Sequence, residues 1–188
     1  MKLRRLFLAL VFLFGAAEAV DASPKVLSWS ELSALPRPAP AKRIAYGSGP
    51  QQFGELRLPK GAGPFPVVVL VHGGCWMAAF DYVYMTRLAA WLADRGVATW
   101  TIEYRRVGDD GGGWPGTFLD VAHATDFVRA LTKTQPHDVQ RVCDAGHSSC
   151  GPPALWLPSR GQLPLHRARS CNGTPAVRRA LGSAATPP

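Results

Sequence analysis

The chain has 188 residues, 47% hydrophobic and 18% charged, which fits one globular domain and excludes a disordered or fibrous protein. The formal net charge is +8, but residues 23–148 carry 13 basic and 11 acidic side chains, only +2, so no basic face for nucleic acid stands out. All 13 acidic residues lie at or before Asp144, whereas Ser149 to Pro188 holds five Arg and no Asp or Glu.

Lys2, Arg4 and Arg5 precede an apolar run, Leu6 to Ala17, followed by small residues at cleavage-type spacing (Ala17-Glu18-Ala19 or Val20-Asp21-Ala22). Residues 1–22 therefore read as a secretory signal peptide, which predicts a secreted or periplasmic protein. The run of 12 apolar residues falls short of the roughly 20 needed to span a bilayer, and no later segment is long enough, so no stable membrane span is expected after signal removal. Residues 23–50 are rich in Pro, Ala and Ser, lack a sustained period and read as a surface lead-in. Four cysteines (Cys75, Cys143, Cys150, Cys171) allow three pairings in an oxidising compartment, and the sequence does not choose among them or exclude free thiols. No C-x-x-C or zinc-type His spacing occurs, and no metal or cofactor is implied.

Phe53 to Leu58 alternates apolar and polar residues and predicts an outer strand. After a turn at residues 60–64, Pro66 to His72 is a continuous β-branched run, the signature of a strand buried on both faces of a parallel sheet. Residues 83–95 predict a helix with Tyr84, Leu88, Trp91 and Leu92 on its apolar face, closed by Gly96. Val97 to Glu103 predicts a strand, and Arg105 to Gly116 a polar, Gly-rich loop. Phe118 to Leu131 predicts a helix packed through Val121, Ala124, Val128 and Leu131. Arg141 to Ala145 predicts another strand, and residues 152–159 the start of a third helix. Strands alternating with helices indicate an α/β fold with a mostly parallel sheet. Residues 161–188 contain no aromatic residue and no strand-like run, and read as a disordered tail.

Two motifs carry chemistry. His72-Gly73-Gly74-Cys75-Trp76 ends the strongest strand, where glycines let backbone N–H groups turn into a cleft and stabilise an oxyanion. Gly146-His147-Ser148-Ser149-Cys150-Gly151 lies between a strand and a helix, the setting of a nucleophile elbow. Ser148 has Gly146 two residues before it but Cys150 two after; Ser149 has Gly151 behind it but His147 in front, so each frame satisfies half the pattern. Two strands and two helices fit between the motifs. Asp109-Asp110 beside Gly111–Gly113 reads as a solvated loop, lacking the Gly-Lys-Ser/Thr of a phosphate loop. His123 reads as structural or exposed, and Asn172-Gly173-Thr174 as a turn that also forms a glycosylation sequon.

In Val67–Trp76, Leu88–Arg106, Gly111–Val121 and Gly146–Arg160, the chain over residues 50–160 resembles the secreted α/β-hydrolase esterase/lipase group that includes kynurenine-formamidase-like and prolyl-oligopeptidase-like members. The resemblance implies an α/β-hydrolase fold, present as its N-terminal part at residues 51–160. It makes Ser148 the nucleophile, the N–H groups of Gly74, Cys75 and Ser149 the oxyanion hole, and His72, Gly73, Trp76 and Gly146 the supporting framework. The substrate would be a small carboxylic ester or amide. The chain departs from the group at Ser149 and Cys150, at Asp144 in place of a buried aliphatic residue, and at Pro152 and Pro153. No Asp or Glu follows Ser148, and His166 is the one later His, whereas the fold orders its triad Ser, acid, His. The end of the chain reads as truncated or out of frame, which would leave the strand before Ser148 with an unpaired edge. The alternative reading is therefore an inactive remnant or a non-enzymatic binding protein on the same scaffold.

Overall fold

Seven residues, Phe65–Val71, form the strand around which the rest assembles. The computed structural model describes residues 26–162 and 179–183, and its strands are β1 (Lys42–Ala45), β2 (Phe53–Arg57), β3 (Phe65–Val71), β4 (Ala98–Ile102), β5 (His137–His147) and β6 (Arg179–Ser183). They form one sheet in the order β1-β2-β4-β3-β5-β6. β3, β4, β5 and β6 are parallel, and β1 and β2 add an antiparallel margin.

Period two decides what each face of β3 meets. Val67, Val69 and Val71 join Leu56, Trp100 and Ile102 in a core covered by helix α3 (Gly116–Leu131), through Val121, Ala124, Val128 and Leu131 as the spacing predicts. Leu70 points the other way, to Met85 and Ala89 beside helix α2 (Thr86–Ala93). Fully burying each of the larger side chains contributes roughly 1.5–3 kcal/mol before chain entropy is set against it. Trp100 is fully buried, and its indole N–H donates to the Ala124 carbonyl at 2.9 Å, satisfying its one polar atom. Short helix α4 (Gly151–Trp156) follows β5.

Four expectations need correction. The lead-in contains β1 and a short helix, α1 (Trp29–Ala34). The helix starts at a capping box in which Ser28 Oγ accepts the Glu31 N–H and Glu31 Oε2 accepts the Ser28 N–H, a Ser-x-x-Glu pattern legible at residues 28–31. With β1 outside it, β2 is the second strand of the sheet, not the edge. Helix α2, preceded by a 3-10 turn at Tyr82–Met85, buries Met85, Ala89 and Ala93, while Leu88 and Trp91 are exposed. The small side chains of Ala89 and Ala93, one turn apart, form the face of α2 turned to the sheet. Finally, Arg179–Ser183 in the expected tail is a strand, and Cys143↔Arg179 through His147↔Ser183 pairing covers the edge of β5 expected to be bare. That segment has no β-branched run; its pairing makes it a strand. His166, Cys171, Asn172 and the signal segment lie outside the described residues.

Candidate functional site

β5 runs through Gly146 to His147, and the chain then turns at Ser148 into a 3-10 turn (Ser148–Cys150) and α4. Ser148 has φ 54°, a left-handed conformation that costs a non-glycine residue about 1 kcal/mol. The turn is tight enough that a Cβ at position 146 would collide with the Cys150 carbonyl, which explains Gly146. Pro152 and Pro153 fall in the first turn of α4, where a missing N–H leaves no intrahelical bond unmade. Ser148 and Ser149 are both half-buried.

The His-Gly-Gly segment reaches the same place because β3 lies beside β5, with Val71 opposite Gly146. A Cβ on Gly73 would lie 2.7 Å from the His147 carbonyl oxygen and 2.9 Å from Ser148 Cβ, so only glycine lets the two backbones approach. Gly74, Cys75 and Trp76 follow with φ 119°, 53° and 58°. The turn is pinned by Met77 N–H donating to Gly74 O at 3.0 Å and Val107 N–H donating to Trp76 O at 2.7 Å. The Cys75 N–H donates to Ser149 Oγ at 2.9 Å. His72 is not at the surface of the site. It is fully buried, stacked on Tyr104 at 4.3 Å, with Nε2 2.9 Å from Glu103 Oε1 and Nδ1 2.8 Å from the Gly73 carbonyl. It anchors the turn. Trp76 is half-buried and packs against Phe118.

Three contributors escaped the sequence reading. The Tyr84 hydroxyl accepts the Gly73 N–H at 2.6 Å and lies 2.8 Å from His147 Nδ1, tying the two motifs together. Burial pushes the Tyr84 phenol up to about 12 and holds the His147 imidazole below its ordinary value. Tyr104 OH donates to the His72 carbonyl at 2.6 Å and lies 3.0 Å from Cys150 Sγ. Burial pushes the Cys150 thiol up to about 11. Glu103, 31 residues from His72, has no local signal linking it to that ring. Cys75, Cys143 and Cys150 are free thiols.

Ser148 Oγ has no hydrogen-bond partner among the described residues. Two acids that precede Ser148 in the chain are committed elsewhere. Asp120, buried, accepts from Arg105 Nε at 2.8 Å, Arg105 Nη2 at 2.7 Å and Gln52 Nε2 at 2.7 Å. Asp109, in the loop read as solvated, accepts from the Arg106 N–H and its Nε. Asp144 is fully buried between β3 and β6 with neither carboxylate oxygen bonded, and burial pushes its carboxyl up to about 8. His123 is exposed on α3. Among the described residues no cluster of His, Cys, Asp or Glu could hold a metal ion, and no helix is long and apolar enough to cross a membrane.

The fold recurs in solved esterases. The chain is similar to a bifunctional GH43-CE protein of Bacteroides eggerthii (28% identity, TM-score 0.52), covering 63% of this chain and 17% of that one. It shares its fold with a bacterial heroin esterase (21%, TM-score 0.59, 71% and 43% covered) and with an esterase of Thermogutta terrifontis (18%, TM-score 0.59, 75% and 52%). The chain thus spans about half or less of the length of these structures. No curated protein matches it. The BD-FAE family model matches residues 55–159, more than half of the chain. Together with the α/β-hydrolase fold, that match places the protein in the BD-FAE family.

Proposed function

We propose that the chain carries the nucleophile half of a serine-dependent hydrolase acting on a small carboxylic ester or amide. Ser148 Oγ would attack the carbonyl carbon, the N–H groups of Gly74, Cys75 and Ser149 would face the oxyanion, and water would release the acyl group. The observation that carries the reading is the left-handed Ser148 at a strand-to-helix turn, with the Gly73 backbone against it. Strain at such a position points to a functional constraint. Ser149 does not share it. Hydrolysis of a p-nitrophenyl ester tests the reading: activity lost in Ser148→Ala but kept in Cys75→Ala supports it, and equal activity in Ser148→Ala ends it.

A second reading, a protein that binds but barely turns over, is favoured by one observation: no described residue accepts the Ser148 proton. A serine hydroxyl without a base is a weak nucleophile, and only the residual catalysis of oxyanion donors and binding would remain. Little turnover is accordingly expected, unchanged in His166→Ala; a marked loss in that variant would identify the base. We further propose export directed by residues 1–22. Fused to a reporter, they should carry it across the inner membrane with cleavage after Ala19 or Ala22, and an uncleaved cytosolic reporter would reject this.

A further inference from the structure

We propose that the Ser149 hydroxyl occupies the oxyanion site of the resting protein, so that an incoming carbonyl oxygen must displace it. The inference rests on the reading of Cys75 N–H as an oxyanion donor. That N–H already has an acceptor: Ser149 Oγ, at 2.9 Å. This lies within the 2.7–3.1 Å expected between a donor and the oxyanion itself.

The donor has little freedom to turn away. Cys75 is held at φ 53° between the Gly74 carbonyl, which accepts the Met77 N–H, and the Trp76 carbonyl, which accepts the Val107 N–H. The Ala78 N–H closes the other side by donating to the Val107 carbonyl at 3.0 Å. The acceptor is placed with similar economy. Ser149 follows Ser148 directly in the 3-10 turn, and Gly73 packs against His147 and Ser148, so the hydroxyl reaches across to the next residue pair of the glycine turn. An N–H in this geometry serves one strong acceptor at a time. A substrate oxygen must therefore exchange for the hydroxyl one for one. A neutral intramolecular hydrogen bond of this kind is worth a factor of about 2 to 12 in an equilibrium constant. An alanine at 149 removes the competing acceptor but leaves the backbone N–H of residue 149 in place.

The test separates this proposal from the role of Ser148 by working in a Ser148→Ala background, where no covalent chemistry occurs. Acetate, whose carboxylate oxygen mimics the oxyanion, is titrated while the backbone amide resonance of Cys75 is followed by NMR. Adding Ser149→Ala should tighten acetate binding about 2- to 12-fold. Ser149→Thr keeps the hydroxyl and should behave as the parent. Should the alanine variant fold poorly, Ser149→Gly also removes the hydroxyl and is read the same way. Equal or weaker acetate binding without the hydroxyl overturns the proposal, because Ser149 would then be neutral or itself a donor to the anion. A Cys75 amide that does not respond to acetate in any variant overturns it too. Failure of Ser148 as nucleophile would instead show as loss of its covalent labelling, which this titration does not involve.

Discussion

Ser148 combines a polar side chain with a backbone conformation that suits glycine. If that strain is kept for chemistry, removing the side chain in two ways separates the effects. Ser148→Gly should be more stable than Ser148→Ala by about 1 kcal/mol, because only glycine relaxes at φ 54°. Chemical denaturation of both variants measures this, and equal stabilities would mean the turn is unstrained. Tyr84 offers a second test. Its phenyl ring faces Trp29 of α1 edge-on at 5.2 Å, while its hydroxyl joins Gly73 to His147. Tyr84→Phe keeps the ring and leaves the buried Gly73 N–H unpaired, a loss of about 1–3 kcal/mol. The same variant should slow covalent labelling of Ser148, since the glycine turn loses its link to the elbow. A Tyr84→Phe protein of parental stability would show that water or movement replaces the bond at no cost.

Among the elements, β5 holds the chain's clearest internal conflict. Its Asp144 is paired in register with Val69 of β3 and Ala180 of β6, and both oxygens lack partners. Burial raises its folded-state value to about 8, with Arg160, itself paired to Asp126, opposing that rise. The folded value lies above the unfolded one, so folding favours the protonated acid. The associated stability is complete below about pH 4 and is lost as the pH rises through about 8. Thermal unfolding across that range should therefore show the parent weakening with pH while Asp144→Val does not. At pH 8 the valine variant should be the more stable, by at least about 1–3 kcal/mol. A parallel pH dependence in the two proteins would mean that Asp144 is solvated or paired.

The same scale explains what was legible in the sequence. β3 and α3 were readable because their own side chains supply the burial: Val67, Val69 and Val71 at period two, and Val121, Ala124, Val128 and Leu131 at helical spacing. The elbow and the glycine turn were readable because sharp backbone turns demand particular residues in sequence. The buried face of α2 was not, because Ala89 and Ala93 matter through their smallness against the sheet, and hydrophobicity points to Leu88 and Trp91. β6 was hidden because register with β5, and not its composition, makes it a strand. The links from His72 to Glu103 and from Tyr84 to His147 join residues 31 and 63 positions apart, and no local pattern reports such pairs.

For the molecule as a whole, both motifs meet at one edge of the sheet, at the carboxyl ends of β3 and β5, where ligands bind in α/β folds. Helices α2 and α3 on opposite faces hold that edge, and the glycine turn and elbow are the parts of it that carry unusual backbone. As proposed above, Ser148, not Ser149, is the nucleophile of this edge. Mass-spectrometric mapping after exposure to a fluorophosphonate tests it most directly. Slow, substoichiometric modification confined to Ser148 and absent from Ser148→Ala is expected; an adduct on Ser149, or one that survives in Ser148→Ala, would contradict this assignment.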